Sequence, residues 1–180
     1  MTDTSAPRHH CRGFTLSAVK RIKPGPGQES VWDYPRPPRL EPNARRLRVV
    51  LGGLTVADSH AGWRVLETSH PPVYYLPRAA FRQCRITDTA STTFCEFKGR
   101  ATYATLEAGG RVEGDAAWFY ASPSAGFEPL QDHLAVYPGR MDACFVDGEQ
   151  VNPQAGDFYG GWITSSVVGP FKGGASTWGW

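Results

Sequence analysis

No stretch of the 180 residues approaches the roughly 18–20 consecutive apolar side chains that a membrane helix requires. No leader with a charged start, an apolar middle and a small-residue cleavage site opens the chain either, so the expectation is a soluble, cytoplasmic protein without a membrane partner. Cysteine is sparse: Cys11, Cys84, Cys95 and Cys144 lie far apart, with no C-x-x-C and no Cys/His pair at zinc-finger spacing. A structural zinc is therefore not expected, and free thiols are. The phosphate loop GxxxxGK[ST], the dinucleotide motif GxGxxG, the zincin HExxH and the hydrolase GxSxG are all missing, as is a close pair of aspartates after Gly-Ser. Each absence removes its own class of chemistry, and together they lead to an expectation of no metal and no cofactor. Room for long helices is also missing, because 20 Gly and 15 Pro interrupt the chain too often.

What is present is material for a core. Hydrophobic residues make up 41% of the chain, with 6 Trp, 7 Tyr and 9 Phe, which excludes a wholly disordered protein. The length suits one domain. The charge is uneven: residues 1–48 carry ten Lys/Arg against four Asp/Glu, and the remainder carries nine against thirteen. These basic residues are scattered among prolines without a stacking platform, so nucleic acid is not expected as a partner and a solvated, flexible basic arm over residues 1–28 is expected. His9, His10 and Cys11 resemble a metal clip, but an incidental triplet is the commoner reading. Residues 29–45 place Trp32 and Tyr34 among Pro35, Pro37, Pro38 and Pro42, which suggests an extended strap packed along the body.

From Arg46 the pattern is that of strands. RLRVVL and LTVADS flank Gly52-Gly53 as a hairpin, and WRVLETS and VYYLP are separated by Pro71-Pro72. PRAAFRQ suits one helical turn begun by Pro77. TTFCEFKGRATYATLEA turns at Gly109-Gly110 into RVEGDAAWFYAS, and HLAVYP and MDACFVDG follow. The predicted fold is mainly β, a single compact domain of short antiparallel strands, tent-like or a distorted barrel, with few short helical turns. Its core spans 46–148, and a Gly- and Trp-rich tail, 149–180, docks on it.

Candidate site residues fall in two clusters. Arg64, Glu67, His70, Tyr74 and Tyr75 crowd a rigid Pro-Pro turn. Glu67 or His70 can serve as a general base, Arg64 as a clamp for a carboxylate or phosphate, and Tyr75 as a hydrogen-bond donor. The structural alternative is an Arg64–Glu67 pair closing the hairpin, although their odd spacing puts them on opposite faces of a regular strand. In the second cluster, Cys95, Lys98 and Tyr103 surround Gly99: Cys95 as a nucleophile or an inert core thiol, Lys98 as an anion ligand. Trp118 and Tyr120, two apart, form either an aromatic wall for a flat ligand or part of the core. His133 and Tyr137 can add polar lining, and Lys172 can reach inward from the tail.

The strings ESVWDYPRPPRLEPNARRLRVVLGGLTVADS, RVLETSHPPVYYLP, FCEFKGRATY, DAAWFYASP and FYGGWITSSVVGPFKGG occur in that order between residue 29 and about residue 174. In this the chain resembles the domain of unknown function 427 family, to which a nucleotidyltransferase label is sometimes attached. The resemblance implies a mostly β domain of the β-tent kind found in Mss4-like proteins, here without their paired C-x-x-C knuckles. Where members of that family carry Cys-Pro before Lys-Gly, this sequence has Cys95-Glu96-Phe97-Lys98-Gly99, keeping the Cys and the Lys. Two functions follow as expectations: a metal-independent acid–base enzyme for a small anionic or carbonyl metabolite, or a non-catalytic module that binds a small molecule or nucleotide. A third is an interaction protein, with a possible homodimer.

Overall fold

The computed structural model describes residues 19–156, 158–177 and 180. His9, His10, Cys11 and most of the expected arm lie outside the described residues. Fifteen strands follow in chain order: β1 (Glu29–Ser30), β2 (Arg39–Asn43), β3 (Leu47–Leu51), β4 (Leu54–Ser59), β5 (Gly62–Leu66), β6 (Val73–Pro77), β7 (Arg85–Cys95) and β8 (Gly99–Ala108). They continue with β9 (Arg111–Phe119), β10 (His133–Val136), β11 (Ala143–Val146), β12 (Glu149–Gln150), β13 (Asn152–Pro153), β14 (Trp162–Ile163) and β15 (Val167–Val168). Among the described residues the helical content is confined to single 3-10 turns such as Arg78–Ala80, begun after Pro77 as the sequence predicts. No helix among the described residues is long and apolar enough to cross a membrane.

Two antiparallel sheets carry the fold, one of seven strands in the order β2-β5-β6-β10-β9-β8-β7 and one of four in the order β12-β11-β3-β4. Both are open, and neither closes into a barrel. The predicted hairpins form where paired glycines permit them: Gly52 and Gly53 have φ of 59° and 73°, Gly109 and Gly110 have 57° and 79°, the left-handed values of a two-residue turn that matches strand twist. The two turns also touch. A Cβ on Gly52 would lie 2.1 Å from the Ala108 carbonyl oxygen, and one on Gly109 would lie 1.9 Å from the Gly52 carbonyl oxygen.

Strand alternation gives the large sheet two different faces. Tyr74, Leu76, Leu106, Leu134 and Val136 face the small sheet and pack on its Leu47, Val49, Leu51 and Val56, with Trp162 filling the seam. The opposite face carries Val65, Tyr75, Ala101, Trp118, Tyr120 and Ala135. Burial of the first face supplies the main driving force for folding. The second face is where the functional candidates gather.

Three stretches depart from the sequence expectation. Residues Arg85–Cys95 form a long edge strand that the sequence reading did not separate: Thr- and Ser-rich and exposed along most of its length, it has no apolar alternation to betray it. A tight turn at Glu96–Lys98 follows, so the segment read as one strand is a hairpin. The proline-rich strap contributes β2, paired with β5 from Arg39↔Leu66 to Asn43↔Gly62, and Pro42 is tolerated because β2 is an edge strand. Ahead of it, Val31 and Tyr34 bury against Leu66 and Val167, and Trp32 Nε1 donates to the Pro170 carbonyl at 2.9 Å.

Candidate functional site

The outer face of the large sheet opens into a cavity of about 420 Å³, within the range of small-molecule sites. Its floor and walls come from β5 to β10: Tyr75 on β6, Tyr103 on β8, Trp118 on β9, and Tyr120 and Tyr137 just beyond strand ends. The last residue of β7 is Cys95 and the turn after it adds Lys98, the loop after β5 adds Glu67 and His70, and the tail closes one side with Tyr159, Gly160 and Lys172. Ten of the thirteen residues singled out in the sequence thus line a single space: Glu67, His70, Tyr75, Cys95, Lys98, Tyr103, Trp118, Tyr120, Tyr137 and Lys172.

Arg64, a candidate clamp for an anion, does not line that space, and neither does its cross-strand neighbour Tyr74. Arg64 sits at an odd spacing from Glu67 on a regular strand and faces the other way, opposite Tyr74. Its guanidinium is fully engaged: Nη1 and Nη2 donate to the two oxygens of Glu29, each at 3.0 Å, and Nε donates to Glu41 at 3.0 Å. Tyr34 donates to the same Glu29 carboxylate at 2.7 Å. The Arg64 and Tyr34 donors hold the Glu29 carboxyl below its usual range, against the opposing push of its partial burial. Arg64 is a clasp for the strap. Its expected structural partner, Glu67, instead meets Arg36 at 3.2 Å, and Arg36 also holds Glu96 at 2.8 Å. His133 also stays outside, with Nδ1 against the Gln131 carbonyl at 2.8 Å.

The aromatic lining is interlocked. Trp118 Nε1 donates to Tyr75 Oη at 3.2 Å. The Trp118 ring lies 4.6 Å from that of Tyr137, and Tyr75 is tilted against Tyr120 at 6.4 Å. Thr93 Oγ1 and Tyr103 Oη share a hydrogen bond of 3.1 Å. Burial pushes the phenols of Tyr75, Tyr120 and Tyr137 well above their ordinary range, so they stay protonated near neutral pH. Gly160 is required in the wall: a Cβ there would fall 2.2 Å from Cη2 of Trp118.

His70 is 7% exposed and lies 4.5 Å from the Tyr159 ring. Burial, reinforced by Lys172, Lys98 and Arg36, pushes its pKa down to about 4. It is therefore neutral near pH 7. Gln154, which the sequence reading missed, holds it. The Gln154 Oε1 accepts from the Gly161 N–H at 3.1 Å and its Nε2 donates to the Lys172 carbonyl at 2.7 Å, which fixes the amide's orientation. The same Nε2 lies 3.2 Å from His70 Nδ1. That ring nitrogen is thus the acceptor, and the imidazole proton sits on Nε2. Arg36, Gln154 and Tyr159 were invisible as candidates because they arrive from the strap and the tail, far away in sequence. Among the described residues no group of three or more His, Cys, Asp or Glu side chains gathers where a metal ion would sit.

An open two-sheet β domain with an aromatic-walled cavity on one sheet is the class that this geometry defines. The profile of the family described as Domain of unknown function (DUF427) matches residues 39–147, and the chain belongs to that family. The match runs from β2 to the turn after β11, so Arg36, Gln154, Tyr159 and Lys172 lie beyond it. No curated protein matches the chain.

Proposed function

We propose that the cavity binds a small molecule with a flat, unsaturated body and that the protein acts as a binding module for it. The observation that carries this reading is the lining: Tyr75, Tyr103, Trp118, Tyr120, Tyr137 and Tyr159 border one space, and such rings contribute contact area with little loss of rotamer freedom. The acid–base alternative has weaker support. Glu67 is engaged by Arg36, His70 is neutral with Nδ1 occupied, and the buried phenol of Tyr75 accepts a hydrogen bond from Trp118. The β-tent architecture is part of the proposal, supported by two open antiparallel sheets sharing one core. So is a reducing, cytoplasmic setting, supported by the unpaired thiols of Cys84, Cys95 and Cys144.

Trp118 reports occupancy directly. Titration with naphthalene-2-carboxamide and naphthalene-2-carboxylate should quench its fluorescence and raise the melting temperature, because a ligand held only by the native state stabilises it. Trp118→Leu should remove the quenching. A protein that melts cooperatively yet gives neither signal with either compound would overturn the reading.

A further inference from the structure

We infer that one side of this cavity is an oxyanion site, in which Lys98 Nζ and the Nε2–H of His70 take the carboxylate or phosphate of the flat ligand. The inference rests on the binding reading above and adds the chemical class: an unsaturated acid, not a neutral or cationic ring.

Lys98 is 9% exposed, yet no carboxylate lies within ion-pair distance of it among the described residues. The described neighbour of its ammonium is the Phe127 ring, 5.9 Å away. An ammonium with so little access to water gains strongly from a counter-charge or strong acceptors that reach it. The carboxylates of the same wall do not meet that need, because Glu67 and Glu96 both bind Arg36. Lys172 is also occupied, its Nζ donating to a main-chain oxygen of Trp180 at 2.6 Å. Among the described residues, Lys98 is left as the cavity cation with neither a carboxylate nor a hydrogen-bond partner.

Among the described residues, every fully enclosed side-chain nitrogen or oxygen has a hydrogen-bond partner. Among those residues Lys98 Nζ and His70 Nε2 have no hydrogen-bond partner, and the open space that both residues line is the cavity. Two donors therefore face an interior bounded by aromatic rings, with one contributing full charge and the other a directed N–H. An oxyanion accepts from both, and charge-assisted hydrogen bonds of this kind are the strong ones. A ligand cation would meet Lys98, Lys172 and Arg36 instead. Gln154 is the positioning residue: by donating to Nδ1 it keeps His70 a donor on the cavity side.

The test is calorimetric titration of the full chain with naphthalene-2-carboxylate, 2-naphthyl phosphate and naphthalene-2-carboxamide, with inorganic phosphate as the ring-free arm. One or both acids should bind at least about tenfold tighter than the amide, and the tighter of the two tells a carboxylate site from a phosphate site. Lys98→Met, which replaces a buried charge by an apolar chain of similar shape, should level acid and amide while leaving the protein folded. Lys98→Gln serves as a second variant should the first fail to fold. In ¹⁵N-resolved spectra the acid should shift the His70 Nε2–H signal and leave Nδ1 an unprotonated acceptor. Equal affinity for acid and amide, or an acid preference that survives in the Lys98 variant, would overturn the oxyanion site while the binding reading stands. Absence of all ring binding would end both, and inorganic phosphate binding unaffected by the Lys98 variant would place the anion elsewhere.

Discussion

Replacing His70 by glutamine should flatten the acid side of the stability profile. In the unfolded chain the imidazole protonates near pH 6.5, whereas in the fold burial and the nearby Lys172, Lys98 and Arg36 hold it neutral down to about pH 4. Between those values the unfolded state binds the extra proton, so stability rises with pH across the window and is lost on acidification. At about 1.4 kcal/mol per pH unit, moving from pH 8 to pH 5 should cost the wild type about 2 kcal/mol from this one group. The lower limit is set at pH 5 because the carboxyls held below their ordinary values, among them Glu29, Asp58, Asp115, Asp142 and Asp147, lose their stabilisation only at lower pH. Urea unfolding at pH 8, 7, 6 and 5, extrapolated linearly to water, reads the effect as a change in slope. Any fixed cost of the substitution cancels. Wild type and His70→Gln losing equal stability over the range would refute a buried neutral imidazole, and with it the assignment of Nδ1 as the acceptor of the Gln154 amide.

Two further outcomes follow from the packing. Gly160→Ala places a methyl group 2.2 Å from the Trp118 ring, and the rigid ring must move; a loss of about 1–3 kcal/mol in urea unfolding and a shifted Trp emission are expected, and an unchanged emission would contradict the contact. Arg64→Met strands Glu29 and Glu41 on the strap side and should cost about 1–3 kcal/mol while leaving ligand affinity intact; weakened binding would return Arg64 to the site.

Much of this arrangement can be read from local pattern. The Gly-Gly turns announce two hairpins because left-handed backbone is cheap for glycine. Trp118 and Tyr120 share a face by their spacing of two. Glu67, His70 and Tyr75 stand out because ionisable groups crowd a stiff Pro-Pro turn. The same rule of alternation places Arg64 opposite Glu67, and the backbone obeys it with no bulge to bring them together. What escapes is what long-range contact creates. Gln154 reaches His70 across 84 positions, and a glutamine after a proline carries no signature of that role. Arg36 reads as one more basic residue in a proline-rich stretch until the fold sets it between Glu67 and Glu96. The edge strand β7 is polar on both sides, so neither a period of two nor one of 3.6 marks it.

The touching hairpin turns at Gly52 and Gly109 bear on how this protein can be rebuilt. Surface turns are the usual places to splice in a tag, a reporter or a new terminus, but here each turn is the other's neighbour, with less than 2.2 Å between an added carbon and the opposite backbone. Lengthening either would pry the two sheets apart at the point where they meet. The Asp147-Gly148 turn behaves differently, since a Cβ on Gly148 would meet nothing within 4 Å. It lies at the rim of the small sheet, between β11 and β12, and not among the cavity's lining residues. Inserted sequence should therefore be tolerated better after Gly148, where the surroundings are open, than at the glycine pair.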